Sequence, residues 1–337
     1  MALKMKVFIL AGGSGERFWP LSTPENPKQF LKLIDGKSLL RVTFERFQKE
    51  VALSNIYVIT TQEYVHKVWE ELPELPKENV IGEPMKRNTA PACVMAAYIA
   101  SEGDVMFIAP ADHYIPDEDA FWNVVMKARS FIDKKEDVLM TFGIVPTRPE
   151  TGYGYIEIDV EVEEDVYKVK MFREKPSYEV AEEYVESGNF LWNSGMFMWK
   201  REVFLREMKK HAPKIFKAFN ENQGDFEKAY LQTESVSVDY ALMEKSDKIH
   251  VVKATFGWSD VGNWKSLKEL GYKGKLEPVV VDADEVFAIT DKPLVIVGVS
   301  DVVVVETEEG ILVASQKDLE RIREGVRKVL QRSAKKR

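Results

Sequence analysis

Residues 7–30, VFILAGGSGERFWPLSTPENPKQF, decide how this chain is read. The apolar run Val7–Leu10 reads as a buried first strand, and it empties into a glycine-rich turn, Gly12-Gly13-Ser14-Gly15. Glycines let a backbone approach a phosphate closely, and amides exposed in such a turn point at anions. Arg17 follows at once and Lys28 comes further along, so two fixed positive charges share the mouth of the turn. A triphosphate needs that combination. An ordinary tight turn with two surface cations would contain the same residues. The segment departs from both common phosphate-binding patterns: it lacks Gly-Lys-Ser/Thr, and Phe18 stands where a dinucleotide-binding fingerprint has its last glycine.

At 337 residues the chain can bury a large core, and one large domain with one small one is the expected division. The net charge of −8 argues against a nucleic acid polymer as partner. The single cysteine, Cys93, rules out an intramolecular disulfide and suits a reducing compartment. It lies in the apolar stretch 90–100 and reads as a buried structural thiol rather than a nucleophile. The first apolar run is broken by Gly12 and Gly13, unlike a signal peptide. No stretch approaches the ~20 apolar residues of a membrane span. A cytoplasmic protein with no membrane partner is expected.

Strand-like runs at 7–10, 56–60, 80–81, 105–109 and 138–144 alternate with helical patterns at 39–51, 64–72, 89–101 and 119–134. This order predicts an α/β fold with a Rossmann-like, mostly parallel mixed sheet flanked by helices. Ligands of such sheets bind beyond the carboxyl ends of the strands, where the glycine turn and Asp112 fall. The middle of the chain is less regular, with strands expected at 153–158, 166–173, 195–200 and 249–254 and helices at 178–187, 201–218 and 239–244. Residues 279–314 hold five short β-branched runs punctuated by Asp, Gly, Lys and Pro, and a helix at 318–331 follows. They predict a small all-β unit capped by a terminal helix, with domains at 1–272 and 273–337. No low-complexity linker and no long repeat is read.

A bound triphosphate crowds anionic oxygens together, and magnesium neutralises such oxygens while held by one or two carboxylates. Asp112, in IAPADHY, and Asp260, in FGWSDVG, each follow a strand. Either could hold a metal. Asp112 could equally cap a helix and Asp260 sit in a turn. His113 reads as a packing neighbour rather than a ligand.

The run Gly12 to Ser22, with Pro27-Lys28 after it, resembles the signature loop of the sugar-1-phosphate nucleotidyltransferases. Phe172-Arg173-Glu174-Lys175-Pro176 resembles their sugar-phosphate motif, with Arg173 where valine is frequent; Gly152-Tyr153-Gly154-Tyr155 precedes it. Gly82-Glu83-Pro84, Arg87-Asn88-Thr89-Ala90-Pro91, Asn193-Ser194-Gly195-Met196-Phe197 and the segment Phe256 to Gly262 resemble the mannose-1-phosphate guanylyltransferase branch in particular. The likeness spans about 6–264, most of the chain.

That resemblance implies transfer from GTP to mannose 1-phosphate, giving GDP-mannose and pyrophosphate by direct in-line attack with Mg2+. It implies catalytic roles for Arg17, Lys28, Asp112 and Asp260, the two aspartates holding the metal. It places the nucleotide against Leu10, Ala11, Gly12, Gly13, Ser14 and Gly15, and the base near Glu83, Asn88 and Thr89. It places the sugar phosphate against Gly154, Glu174, Lys175 and Asn193. Asp239 is ambiguous between a site residue and an N-cap. Glu83 can accept from both guanine donors, N1–H and the 2-amino group, or it can be a solvated loop carboxylate. The tail resembles the short β-helix-like extension of single-function enzymes, and four scattered histidines cannot assemble a metal-dependent isomerase site. Few rungs bury too little to stand alone, so a second copy or the catalytic domain must cover them, and a homodimer is predicted. The rival expectations are a glucose 1-phosphate enzyme using UTP or dTTP, and a non-catalytic nucleotide-sugar-binding regulatory subunit.

Overall fold

The protein is described by a computed structural model covering residues 5–13 and 15–334. Two compact units can be separated: one holds the chain up to Gly12, Phe44–Ala111 and Ile115–Trp258, the other Gly13–Thr43, Asp112–Tyr114 and the chain from Ser259 on. The chain runs β1 (Lys6–Leu10), a short hairpin β2 (Lys32–Ile34) and β3 (Lys37–Ser38), and α1 (Leu39–Gln48). It alternates through β4 (Ile56–Thr61), α2 (Val65–Glu71), β5 (Val80–Glu83), α3 (Thr89–Ile99), β6 (Val105–Pro110), α4 (Glu118–Lys134) and β7 (Leu139–Ile144). Then come β8 (Gly154–Glu163), β9 (Val166–Glu174), α5 (Tyr178–Ser187), β10 (Phe190–Lys200), α6 (Arg201–His211), α7 (Pro213–Glu221), α8 (Phe226–Leu231), β11 (Ile249–Ala254) and α9 (Trp264–Glu269).

The first unit is built on a nine-stranded mixed sheet in the order β5-β4-β1-β6-β10-β7-β11-β9-β8. β1 pairs in parallel with both β4 and β6. Its Val7, Phe8 and Ile9 are wholly buried, which explains a continuous apolar run instead of an alternating one. β10 enters antiparallel between β6 and β7. Its register with β7 shifts between Asn193 and Phe197, a bulge that re-aims the side chains there. α3 is buried along Ala90–Ala97, where small residues let the helix pack tightly, and Pro91 falls in its first turn. Cys93 is free and buried, and burial pushes its thiol up, as an inert structural thiol requires.

In the second unit, α9 opens on a reciprocal cap between Asn263 and Ser266. The tail carries β12 (Val279–Val281), β13 (Phe287–Ile289), β14 (Val295–Val297), β15 (Val302–Thr307) and β16 (Gly310–Ser315). β12 pairs in parallel with β14 and β13 with β15, while β15 and β16 are antiparallel. Val279 lies opposite Val295 and Phe287 opposite Val303, each sixteen residues on. The tail is therefore two stacked β-helix-like rungs, and 279–294 and 295–310 form the repeat that the sequence reading did not find. The expected helix at 318–331 is a 3-10 turn, Gln316–Arg321, running into α10 (Ile322–Ala334). Phe287, Ile289, Val303, Val305, Leu319, Ile322 and Val326 share a core with Phe18, Leu31, Leu33, Trp264 and Leu267. Among the described residues no helix is long and apolar enough to cross a membrane.

Candidate active site

The glycine turn closes onto Lys28. Gly15 has φ +65, and a Cβ there would lie 2.4 Å from the Lys28 Cβ and 2.8 Å from its backbone nitrogen, so only glycine fits. Lys28 is buried, with its ammonium near the Phe18 ring. Its Nζ donates to Asp112 Oδ2 at 2.7 Å and to the Asp260 carbonyl at 2.7 Å. Three segments far apart in sequence are thus joined by one ammonium. Partial burial works against ionisation of Asp112, but the Lys28 and His113 charges outweigh it and hold the carboxyl below its usual range. Val261 holds a positive φ of 46, an outlier for a β-branched residue, directly after Asp260. A Cβ on Gly262 would lie 2.4 Å from Asp260 Oδ2, so the carboxylate folds over a bare Cα.

Arg17 donates to the Gly262 carbonyl at 3.3 Å and pairs with Glu320 at 3.2 Å. A cavity of about 510 Å³ is lined by Gly13, Gly15, Arg17, Lys28, Asp112 and Asp260, all within the second unit. Among the described residues no hydrogen bond engages the amides of Gly12 or Gly13. By contrast the Ala11 N–H donates to the Ile59 carbonyl, the Ala11 carbonyl accepts from Thr60, and the Leu10 carbonyl accepts from the Ala111 N–H. Those two residues spend that backbone bonding on the sheet. Ser14 lies outside the described residues.

In the first unit, Glu83 is the last residue of β5 rather than a loop residue, and it is only 7% exposed. Its Oε1 accepts from the Tyr230 hydroxyl at 3.0 Å, and its Oε2 lies 3.1 Å from where a Gly12 Cβ would be. Burial pushes its carboxyl up to about 7, against the pull of Tyr230 and Lys86. Asn88, at φ 66, caps α3 by accepting from the Thr89 N–H at 2.8 Å. The Thr89 hydroxyl accepts from the Val238 N–H at 2.9 Å and so fixes the segment leading into Asp239.

Glu174, Lys175, Asn193 and Gly154 converge in that unit too. Lys175 Nζ is 3.2 Å from Glu174 Oε2, and Asn193 Nδ2 is 3.4 Å from Glu174 Oε1. Asn193 also donates to Asp239 at 3.0 Å. A Cβ on Gly154 would lie 2.1 Å from Glu174 Oε1, so this glycine makes room for the carboxylate. Lys175 has φ 49, which turns it sharply off the end of β9. Asp239 begins a π-turn, Asp239–Met243, instead of capping a regular helix. Burial, then the Glu174 charge, raises its carboxyl to about 6.

Sequence reasoning missed Tyr230, the partner of Glu83, and Arg323 and Arg327, which line the cavity. The pattern held no local signal for any of them beyond ordinary helix composition. Of the three carboxylates that line the cavity, Glu16, Asp112 and Asp260, the last two are the ones expected to take a divalent ion. Among the described residues no group of three or more His, Cys, Asp or Glu could hold an ion. Two carboxylates suit magnesium, which keeps waters and takes further oxygens from substrate phosphates.

The sequence matches the nucleotidyl transferase family over residues 6–277 and a mannoseP isomerase/GMP-like beta-helix domain over 277–329. It is 39% identical to the mannose-1-phosphate guanylyltransferase of Escherichia coli (strain K12), covering 97% of this chain and 73% of that protein. A mannose-1-phosphate guanylyltransferase of Salmonella montevideo is 38% identical, covering 95% and 73%. A crystal structure of mannose-1-phosphate geranyltransferase from Thermus thermophilus superposes with a TM-score of 0.84 at 31% identity, covering 97% of this chain and 99% of that one. The chain belongs to the nucleotidyl transferase family, in the group whose named members are mannose-1-phosphate guanylyltransferases.

Proposed function

We propose that the protein transfers a guanylyl group from GTP to mannose 1-phosphate, giving GDP-mannose and pyrophosphate. An oxygen of the sugar phosphate, already ionised at pH 7, attacks the α-phosphorus. The bond from that phosphorus to the bridging oxygen breaks, and pyrophosphate leaves with the electron pair. No general base and no covalent intermediate are needed, so catalysis is positioning and charge neutralisation. Magnesium, when bound by Asp112 and Asp260, would neutralise phosphate oxygens during the displacement. Lys28 faces the α-phosphate and Arg17 the departing phosphates. The amides of Gly12, Gly13 and Gly15 grip the nucleotide. Glu83 reads guanine, with Asn88 and Thr89 shaping its surroundings. Lys175 holds the sugar phosphate, and Glu174 and Asn193 hold hydroxyls in the space Gly154 leaves.

The observation that carries this reading is the Lys28 ammonium, which joins the Asp112 carboxylate and the Asp260 carbonyl in a cavity that also holds Arg17. The relatives' names supply the sugar and the base. The test is pyrophosphate release from four nucleoside triphosphates against several sugar 1-phosphates, with magnesium. GTP with mannose 1-phosphate should give the highest kcat/KM. A higher value for UTP or dTTP with glucose 1-phosphate would overturn the substrate assignment, and no turnover of any pair would overturn the enzyme.

Residues 1–272 are then the catalytic portion and 273–337 the β-helix-like portion, in a cytoplasmic homodimer. Support for the dimer is the apolar outer surface of the rungs and of β16 beside them, where Val295 is 62% and Val313 67% exposed. Val295→Lys with Val313→Lys should give a monomer in light scattering, and an unchanged dimer would remove the rungs from the interface.

A further inference from the structure

Arg323 and Arg327 stand four residues apart on α10 and therefore share one face. Ile322 and Val326 on the neighbouring face, with Leu319 in the turn before it, anchor the helix in the apolar core of the second unit. Both arginines line the cavity that contains Gly13, Gly15, Arg17 and Lys28. No hydrogen bond or ion pair to a described residue engages either guanidinium. Burial, then the like charge of Arg17, with Arg327 adding to it, pushes the Arg323 guanidinium below its ordinary range, against Glu320 and Glu16. Three guanidiniums and one ammonium are thus crowded round one cavity, with Glu16, Asp112 and Asp260 as its carboxylates. Like charges held together cost energy unless an anion joins them, and planar guanidiniums match phosphate oxygens in pairs.

We propose that Arg323 and Arg327 bind the terminal phosphates of the nucleoside triphosphate and hold pyrophosphate as it leaves. The proposal rests on reading this cavity as the phosphate site. During the displacement, negative charge moves from the α-phosphorus towards the departing group. Cations at the far side of the phosphate chain gain most from that movement. The C-terminal helix is then part of the active site, and the tail does more than associate.

The experiment uses the full chain and inorganic pyrophosphate as probe. Pyrophosphate is titrated calorimetrically into the wild type, into Arg323→Ala/Arg327→Ala, into Arg323→Lys/Arg327→Lys and into Lys328→Ala. Lys328 is on the same helix, pairs with Glu324 and does not line this cavity. The alanine pair should weaken pyrophosphate at least about tenfold and raise the KM of GTP similarly, leaving the KM of mannose 1-phosphate within about twofold. The lysine pair should recover part of the loss, and Lys328→Ala should match the wild type. A folded alanine pair with pyrophosphate affinity and GTP KM within about twofold of wild type overturns the proposal. Should the alanine pair not fold, Arg327→Gln alone is read by the same criterion. A wild type that binds pyrophosphate but does not turn over GTP with mannose 1-phosphate breaks the proposed function and leaves this site standing. A wild type that turns over while the variants keep pyrophosphate, or while it binds no pyrophosphate itself, breaks only this inference; one that neither turns over nor binds pyrophosphate breaks both.

Discussion

The cavity of the second unit and the Glu174–Asp239 cluster of the first both gather carboxylates, but they treat them oppositely. In the cavity, Asp112 is paired with Lys28 and held in its ionised form. In the cluster, Asp239 is raised to about 6 by burial and by Glu174, and Asn193 bridges the two acids. A place that receives phosphates, as proposed for the cavity, keeps its carboxylates charged with neighbouring cations. A place that receives hydroxyls, as proposed for the cluster, can leave its acceptors under-neutralised, because the ligand brings the donors.

The most severe way to break this contrast is to remove the charged oxygens of the cavity. Asp112→Asn and Asp260→Asn should each cut kcat by roughly two to three orders of magnitude with the fold intact by circular dichroism. Near-normal rates at limiting magnesium in either variant would show that its carboxylate holds no metal. Next, the two regions should separate kinetically. Arg17→Ala should raise the GTP KM and impair pyrophosphate exchange, while Lys175→Ala should raise the KM of mannose 1-phosphate, each about tenfold or more. Matching profiles would erase the division.

Glu83 sharpens the comparison in a third setting. Its carboxyl is raised to about 7, so the fold prefers its neutral form. The stability this brings is complete below the ordinary carboxylate range and is lost as pH rises through 7, by up to roughly 3 kcal/mol. Glu83→Gln should remove that loss in urea titrations at pH 5 and pH 8. Only the ionised form can accept from both guanine donors, so GTP affinity should rise from pH 6 to pH 8 in the wild type and stay flat in the variant. The variant's GTP:UTP preference should narrow about tenfold. An unchanged preference would move base reading to the backbone near Gly12 or to Asn88. The smallest effect is expected at Glu320, which is mostly exposed. Glu320→Gln should free Arg17 and lower the GTP KM by at most about threefold, and a raised KM would show that the pair positions Arg17 productively.

Much of this was readable in advance, and the reasons are local. β1 and the turn after it stand out because a strand buried on both faces writes an unbroken apolar run, and Gly15 is the only residue its position tolerates. The family motifs named Asp112, Asp260 and Lys28 separately. They could not say that Lys28 grips the Asp260 carbonyl, since backbone acceptors leave no trace in residue types. Tyr230 stayed hidden because its contact with Glu83 spans 147 positions. Arg323 and Arg327 look like any charged face of a terminal helix until the fold shows which cavity that face lines. The rung repeat escaped because valine and isoleucine fill paired and unpaired strand positions alike.

Gly262 serves two residues at once. Its carbonyl receives Arg17, and its bare Cα admits the Asp260 carboxylate. A side chain there would collide with the Asp260 carboxylate, and any backbone shift that relieved the collision would move the carbonyl that Arg17 holds. Arg17, Asp260 and Gly262 should therefore behave as a single genetic locus. Substitutions at any two of them should fall well short of additive, and a defect at Gly262 should resist rescue at either partner alone.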